Sequence, residues 1–140
     1  MILSLDSNVL VDLVNQRWPI VRRRYDQAVA AGDTMLTCSF AAQEVLYAAS
    51  ISARPSAQLA GAHALFDHMV VAEFSLEDAA AAAGLRADLK RAGQSIGAFD
   101  TLIAGQALRR GWGVVTGNVR EFGRVPGLQV IDWTAEAESA

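Results

Sequence analysis

Ile2-Leu3-Ser4-Leu5-Asp6-Ser7-Asn8-Val9-Leu10 is the stretch whose reading decides the fold. Its apolar start, closed by the turn-prone Asp6-Ser7-Asn8, reads as a short strand ending in an acid. Val9, Leu10 and Leu13 follow at helical spacing, so the same acid stands where a helix N-cap would.

Further strand-like runs recur at Met35 to Cys38, Val70 to Phe74, Gly113 to Thr116 and Leu128 to Ile131, with helical patterns between them. Trp18-Pro19-Ile20 opens a helix with Pro in its first turn, running toward Ala31 and closed by Gly32-Asp33. Pro55 opens another. Leu76 to Ala92 is Ala-rich and helical, stopping at Gly93, and the next helix begins near Ser95 or Ile96. This alternation predicts an α/β fold: one domain over residues 1–140, with a central parallel sheet of about five strands and helices on both faces. In such folds ligands bind beyond the carboxyl ends of the strands, where Asp6 and Val114-Val115-Thr116-Gly117-Asn118 both fall. Thr116 and Asn118 therefore join the candidate site, although Gly117-Asn118 is equally a turn dipeptide.

Apolar residues make up 52% of the chain and charged residues 19%, a globular balance far from that of disordered chains. No run of 18 apolar residues and no secretory leader is visible, so a cytoplasmic protein without membrane association is expected. Cys38 is single and beside a predicted strand, which reads as a buried, inert thiol. His63 and His68 are five apart, not the four that would set two zinc ligands on one helical face. A formal charge of −3 argues against broad electrostatic capture of nucleic acid. The 12 basic residues are eleven Arg and one Lys, a bias that genome base composition also produces. Arg22-Arg23-Arg24, Arg109-Arg110 and Arg120 with Arg124 are candidate phosphate contacts, and such runs are also ordinary solvated helix faces.

Three carboxylates are set apart from the rest. Glu44 lies in a helical segment whose positions three and four away are Phe40, Ala41, Tyr47 and Ala48; for Asp100 they are Ile96, Gly97, Ile103 and Ala104. Neither these two nor Asp6 has a basic partner on its own element. A carboxylate on a packed face without a partner costs several kcal/mol or takes up a proton. Its partner would be a distant arginine, a helix terminus or a metal ion, and a hard divalent cation such as Mg²⁺ or Mn²⁺ prefers oxygen ligands. Plainer roles exist: Asp6 as an N-cap, Asp100 in the first turn of its helix, Glu44 in a salt bridge. Glu77 and Asp78, by contrast, follow Ser75 in a capping-box pattern and need no further account.

Taken together, four segments resemble the PIN-domain nucleases, and among them the VapC-type ribonuclease toxins. They are Leu5-Asp6-Ser7-Asn8-Val9-Leu10, Ala42-Gln43-Glu44-Val45, Ile96-Gly97-Ala98-Phe99-Asp100-Thr101-Leu102-Ile103-Ala104 and Val115-Thr116-Gly117-Asn118-Val119-Arg120-Glu121-Phe122. The closing Arg124-Val125-Pro126-Gly127-Leu128-Gln129-Val130-Ile131-Asp132-Trp133 is similar too, so the likeness spans nearly the whole chain in order. The resemblance implies that Asp6, Glu44 and Asp100 bind the metal, that Thr116 and Asn118 complete the site, and that Ser7 and Asn8 match the Thr/Ser-Asn pair beside the first acid. Asn118 stands where many PIN domains carry a fourth acid, which weakens the case for a second metal ion; Glu121 and Asp12 are both candidates to supply that charge.

The implied chemistry is Mg²⁺- or Mn²⁺-assisted hydrolysis of an RNA phosphodiester, tRNA or another structured RNA, by attack of an activated water. The implied partners are an RNA substrate, a VapB-like antitoxin that blocks the acidic groove and a second copy of the chain in a homodimer. The apolar helix from Gln58 to Val71 and the Ala-rich helix after Ser75 offer interface surfaces. Two rivals remain in view. A haloacid-dehalogenase-like phosphatase needs an acid two residues after the first, where this chain has Asn8. A non-catalytic PIN-like module that binds RNA or protein would keep the fold and lose turnover.

Overall fold

The structure, a computed structural model, describes residues 1–135; the acidic end after Trp133 lies mostly outside them. β1 (Ile2–Leu5) leads into α1 (Ser7–Asn15) and α2 (Pro19–Ala30), and β2 (Thr34–Cys38) into α3 (Ser39–Ser50) and α4 (Pro55–Phe66). β3 (Val70–Ala72) is followed by α5 (Leu76–Arg91) and α6 (Ala98–Arg110), and β4 (Gly113–Val115) by the short α7 (Val119–Phe122) and β5 (Val130–Ile131). The five strands form one sheet in the order β3-β2-β1-β4-β5. All four pairings are parallel, with Leu3 opposite both Met35 and Gly113.

Successive strand residues point to opposite faces, yet Leu3, Ser4 and Leu5 are all buried, and so are Val114 and Val115. Both faces of the sheet are therefore covered, as its apolar strands require. From β1 the chain moves outward through β2 to β3, then crosses back to β4 on the other side of β1. The gap between β1 and β4 is the switch point where such sheets place their ligands. α1 packs on α3 and α4, while α5 and α6 form a close pair. A Cβ at Gly105 would stand 2.5 Å from the Cα of Ala82, so only glycine permits that approach. No helix among the described residues is long and apolar enough to cross a membrane.

Several boundaries differ from expectation. The helix carrying Asp100 starts at Ala98, with Gly97 as N-cap; the backbone of Thr101 and its hydroxyl both donate to the Gly97 carbonyl, fixing the first turn there. The helix expected from Gln58 to Val71 ends at Phe66, because His68 and Met69 turn the chain and Val70 enters β3 against Leu36. The edge strands β3 and β5 are shorter than their apolar runs, since each is paired on one side only.

Asp78 needs more than its capping box. It is wholly buried, and Arg110 Nη2 at 2.7 Å and Arg109 Nη1 at 3.0 Å hold its two oxygens. The Arg110 guanidinium, foremost, keeps this carboxyl far below the usual carboxylate range against the cost of burial. Arg109 and Arg110 are thus structural cations that brace α5 on α6.

Candidate active site

Asp6 leaves β1 at its carboxyl end and is only 4% exposed. Its backbone N–H donates to Val115 at 2.9 Å, extending the ladder by one residue and aligning it with the end of β4. The side chain caps α1: Oδ1 accepts from the Ser7 N–H at 2.8 Å. Oδ2 accepts from the Thr116 hydroxyl at 2.8 Å and from Asn8 Nδ2 at 3.3 Å. Thr116 Oγ1 itself accepts the Asn118 N–H at 3.0 Å, so its single proton is aimed at Asp6. Burial raises the Asp6 pKa, and the hydrogen bonds from Thr116 and Ser7 pull it back.

Glu44 comes from the middle of α3. Its Oε2 accepts from the Ser7 hydroxyl at 3.0 Å, which ties α3 to the turn that carries Asp6. Asp100 sits in the first turn of α6, with Oδ2 3.0 Å from Asn118 Nδ2. The same amide nitrogen donates to Glu121 Oε2 at 3.0 Å, so Asn118 bridges two carboxyl groups. Burial, the contact with Glu121 and the charges of Asp6 and Glu121 together push the Asp100 pKa up to about 7, against the lowering effect of Asn118. Glu121 is held low because it accepts from the Asp100 carboxyl and from Asn118. Gly97 borders this group: a Cβ there would make ordinary contact, 3.4 Å from Asp100 Oδ2 and 3.6 Å from Glu121 Oε2.

All five expected residues thus connect into one network at the switch point, Asp6, Thr116, Asn118 and Asp100 directly and Glu44 through Ser7. Glu121 joins it through Asn118; Asp12 lines the adjoining cleft with Arg17 and Trp18. Among the described residues, none of the ion pairs involves Asp6, Glu44, Asp100 or Glu121. Nor do any three His, Cys, Asp or Glu side chains among them already stand at metal-ligating spacing. Like-charged carboxylates without a counter-ion turn toward neutral donors, here Ser7 and Asn118, and share a proton. The donors are all hard oxygens on separate elements, and Asp6 and Asp100 among them carry raised proton affinity. That set fits Mg²⁺ or Mn²⁺ and fits no soft metal.

Sheet order, switch-point acids and the Thr116–Asn118 turn define the class: a parallel α/β fold with an acidic site at its switch point. The chain belongs to the PIN-domain family, whose profile matches residues 3–128. It is 32% identical to the tRNA(fMet)-specific endonuclease VapC of Salmonella typhimurium over 92% of this chain and 96% of that protein. In solved structures it is similar to VapBC2 from Rickettsia felis bound to a promoter DNA fragment, with a TM-score of 0.87 at 26% identity over 95% of this chain and 99% of that one. DNA-bound VapBC from Salmonella typhimurium gives a TM-score of 0.86 at 31% identity, over 95% and 98% of the two chains.

Proposed function

We propose that the chain is a metal-dependent endoribonuclease, a hydrolase that serves as the cytoplasmic toxin of a type II toxin–antitoxin pair and cuts tRNA or another structured RNA. The observation that carries this reading is the junction of Asp6 and Asp100 through Thr116 and Asn118 at the sheet's switch point. The likeness to proteins named ribonuclease VapC over more than nine-tenths of the chain supports the choice of RNA.

Asp6, Glu44 and Asp100 would hold Mg²⁺ or Mn²⁺, with Glu121 adding the charge that Asn118 lacks. When bound, the cation supplies Lewis acidity to a phosphodiester and a more acidic water. Thr116 and the N-terminus of α1 fix the Asp6 carboxylate so that no reorganisation is needed during reaction. Ser7 sets the rotamer of Glu44. Asn118 holds Asp100 and Glu121 together, and the proton they share is released when cation binding favours both carboxylates ionised. A VapB-like antitoxin would occupy the acidic groove, and the active form would be a homodimer.

Incubating purified protein with a total transfer-RNA pool, in Mg²⁺ or Mn²⁺ against EDTA, tests this. Discrete fragments that need metal and vanish in Asp6→Ala and Asp100→Ala are expected. Intact RNA in the presence of demonstrated metal binding would instead favour the non-catalytic binding module.

A further inference from the structure

One flank of the carboxylate site opens into a cleft of about 290 Å³. Asn8 and Gly117 form its inner rim, and Asn8 also donates to Asp6 Oδ2, so the cleft and the site share a wall. Trp133, 5% exposed, forms part of the buried wall, and Trp18 stands at the mouth, 47% exposed. The Arg17 guanidinium lies over the Trp18 ring at 5.5 Å from its centroid. An unusual backbone state produces this presentation. Gln16, which ends α1, adopts φ 53, and that left-handed turn precedes the exposed Arg17 and Trp18 at the start of α2.

A large aromatic ring half in water, stacked with a cation beside a phosphodiester-cutting site, gains little for stability alone. It is the arrangement by which proteins hold unpaired nucleotides: the base stacks on the ring, and the guanidinium meets the backbone or stacks as well. The cleft is smaller than the roughly 300–1,000 Å³ of pockets for drug-sized ligands, which suits one base. Its charge pattern fixes the orientation. Asp12 and Asp132, both partly buried, line the cleft and would repel a phosphate there, whereas the third charged residue of its lining, Arg17, is exposed. The base therefore enters and the phosphate stays outside.

We infer that the cleft between α1 and the Trp133 turn is a subsite for one unpaired nucleotide of the RNA next to the scissile phosphate, with Trp18 as its stacking wall and Arg17 as its phosphate contact. This rests on the ribonuclease reading. It makes Trp18 a substrate-binding residue outside the carboxylate network, and it implies that the nucleotide held there is unpaired, because a paired base cannot enter.

Two measurements separate this inference from the reading beneath it. In steady-state cleavage of a transfer-RNA pool with Mn²⁺, Trp18→Ala should raise KM roughly 5- to 150-fold, the range expected when base stacking is removed, with kcat within about twofold of native. Trp18→Phe should recover most of the loss, and an unchanged melting temperature shows that the exposed substitution leaves the fold intact. An unchanged KM in Trp18→Ala would overturn the subsite while leaving the nuclease standing. In EDTA, where nothing is cut, a single-stranded 12-nucleotide RNA should quench the protein's tryptophan fluorescence, and the RNA concentration that half-saturates the quenching should rise in Trp18→Ala by about the factor found for KM. A half-saturating concentration unchanged in Trp18→Ala would assign RNA binding to another surface.

Discussion

Asp100, held up to about 7, binds a proton in the folded chain over a pH range where the unfolded chain, at about 3.9, has released it. Folding therefore loses stability as pH rises from about 4 to about 7, and the loss is complete above 7. Glu121, shifted down by the same contact, acts in the opposite direction, so the informative quantity is a difference between variants. In EDTA, Asp100→Asn should melt at a higher temperature than native protein at pH 8, and the gap should close at pH 5.5. A gap that is independent of pH would show that Asp100 is not the group carrying the conflict. Thr116 makes a second prediction at this scale. Thr116→Val keeps the shape and removes the donor to Asp6, a hydrogen bond to a charged group, and should cost about 1.5–3 kcal/mol in denaturant unfolding at neutral pH, whereas Thr116→Ser should cost far less.

Between elements, the packing that tolerates least is that of α5 with α6. Gly105→Ala drives a Cβ into the backbone of Ala82, and overpacking of this kind costs typically about 1–3 kcal/mol, read as a lower urea midpoint. Ala82→Gly should not rescue it, because the closest atom is the Cα of residue 82 and its backbone N lies only 2.8 Å away. What the sequence makes legible divides along the same lines. Asp6, Glu44 and Asp100 are readable because each interrupts a strongly patterned apolar segment on its own element. Glu121 is readable only as one of two options with Asp12, because it sits between Arg120 and Arg124 in a four-residue helix and looks like part of a solvated charge run. Only the return of the chain past Gly97 brings it to Asp100. Asp78 shows the converse: its capping box is visible, but its pairing with Arg109 and Arg110 across more than thirty residues is not, since no local pattern encodes a contact between helices. The lengths of β3 and β5 escape for a related reason: apolar runs mark what can pair, and the edge position decides how much does.

For the molecule as a whole, the acidic site is on the proposed reading a stability deficit that a bound cation would relieve. A ligand that binds only the folded state stabilises it by about 1.4 kcal/mol for each tenfold excess over its dissociation constant. The melting temperature should therefore climb with the logarithm of Mn²⁺ concentration, and Asp100→Ala should abolish the climb; a flat response of native protein at millimolar Mn²⁺ would remove the metal site. Charge elsewhere is spread thinly. Arg22 pairs with Asp26, and Arg24 reaches the Ala135 carbonyl, leaving Arg23 as the freest of that cluster. Changing all three to Ala should lower the salt slope of RNA binding by roughly 0.7 for each single-strand phosphate they neutralise, and an unchanged slope would assign them to the protein's own surface.

The junction of β1 with β4 also has a meaning in time. The Thr116 hydroxyl that orients Asp6 is synthesised 110 residues after it. At about 5–20 residues per second, roughly 5–20 seconds of translation separate the two. β1 cannot pair with β4, and Asp100 cannot be held by Asn118, until residues 113–118 have left the ribosome. On the proposed reading, the carboxylate site is incomplete throughout that interval, and no nascent chain that stops short of Thr116 and Asn118 carries it whole.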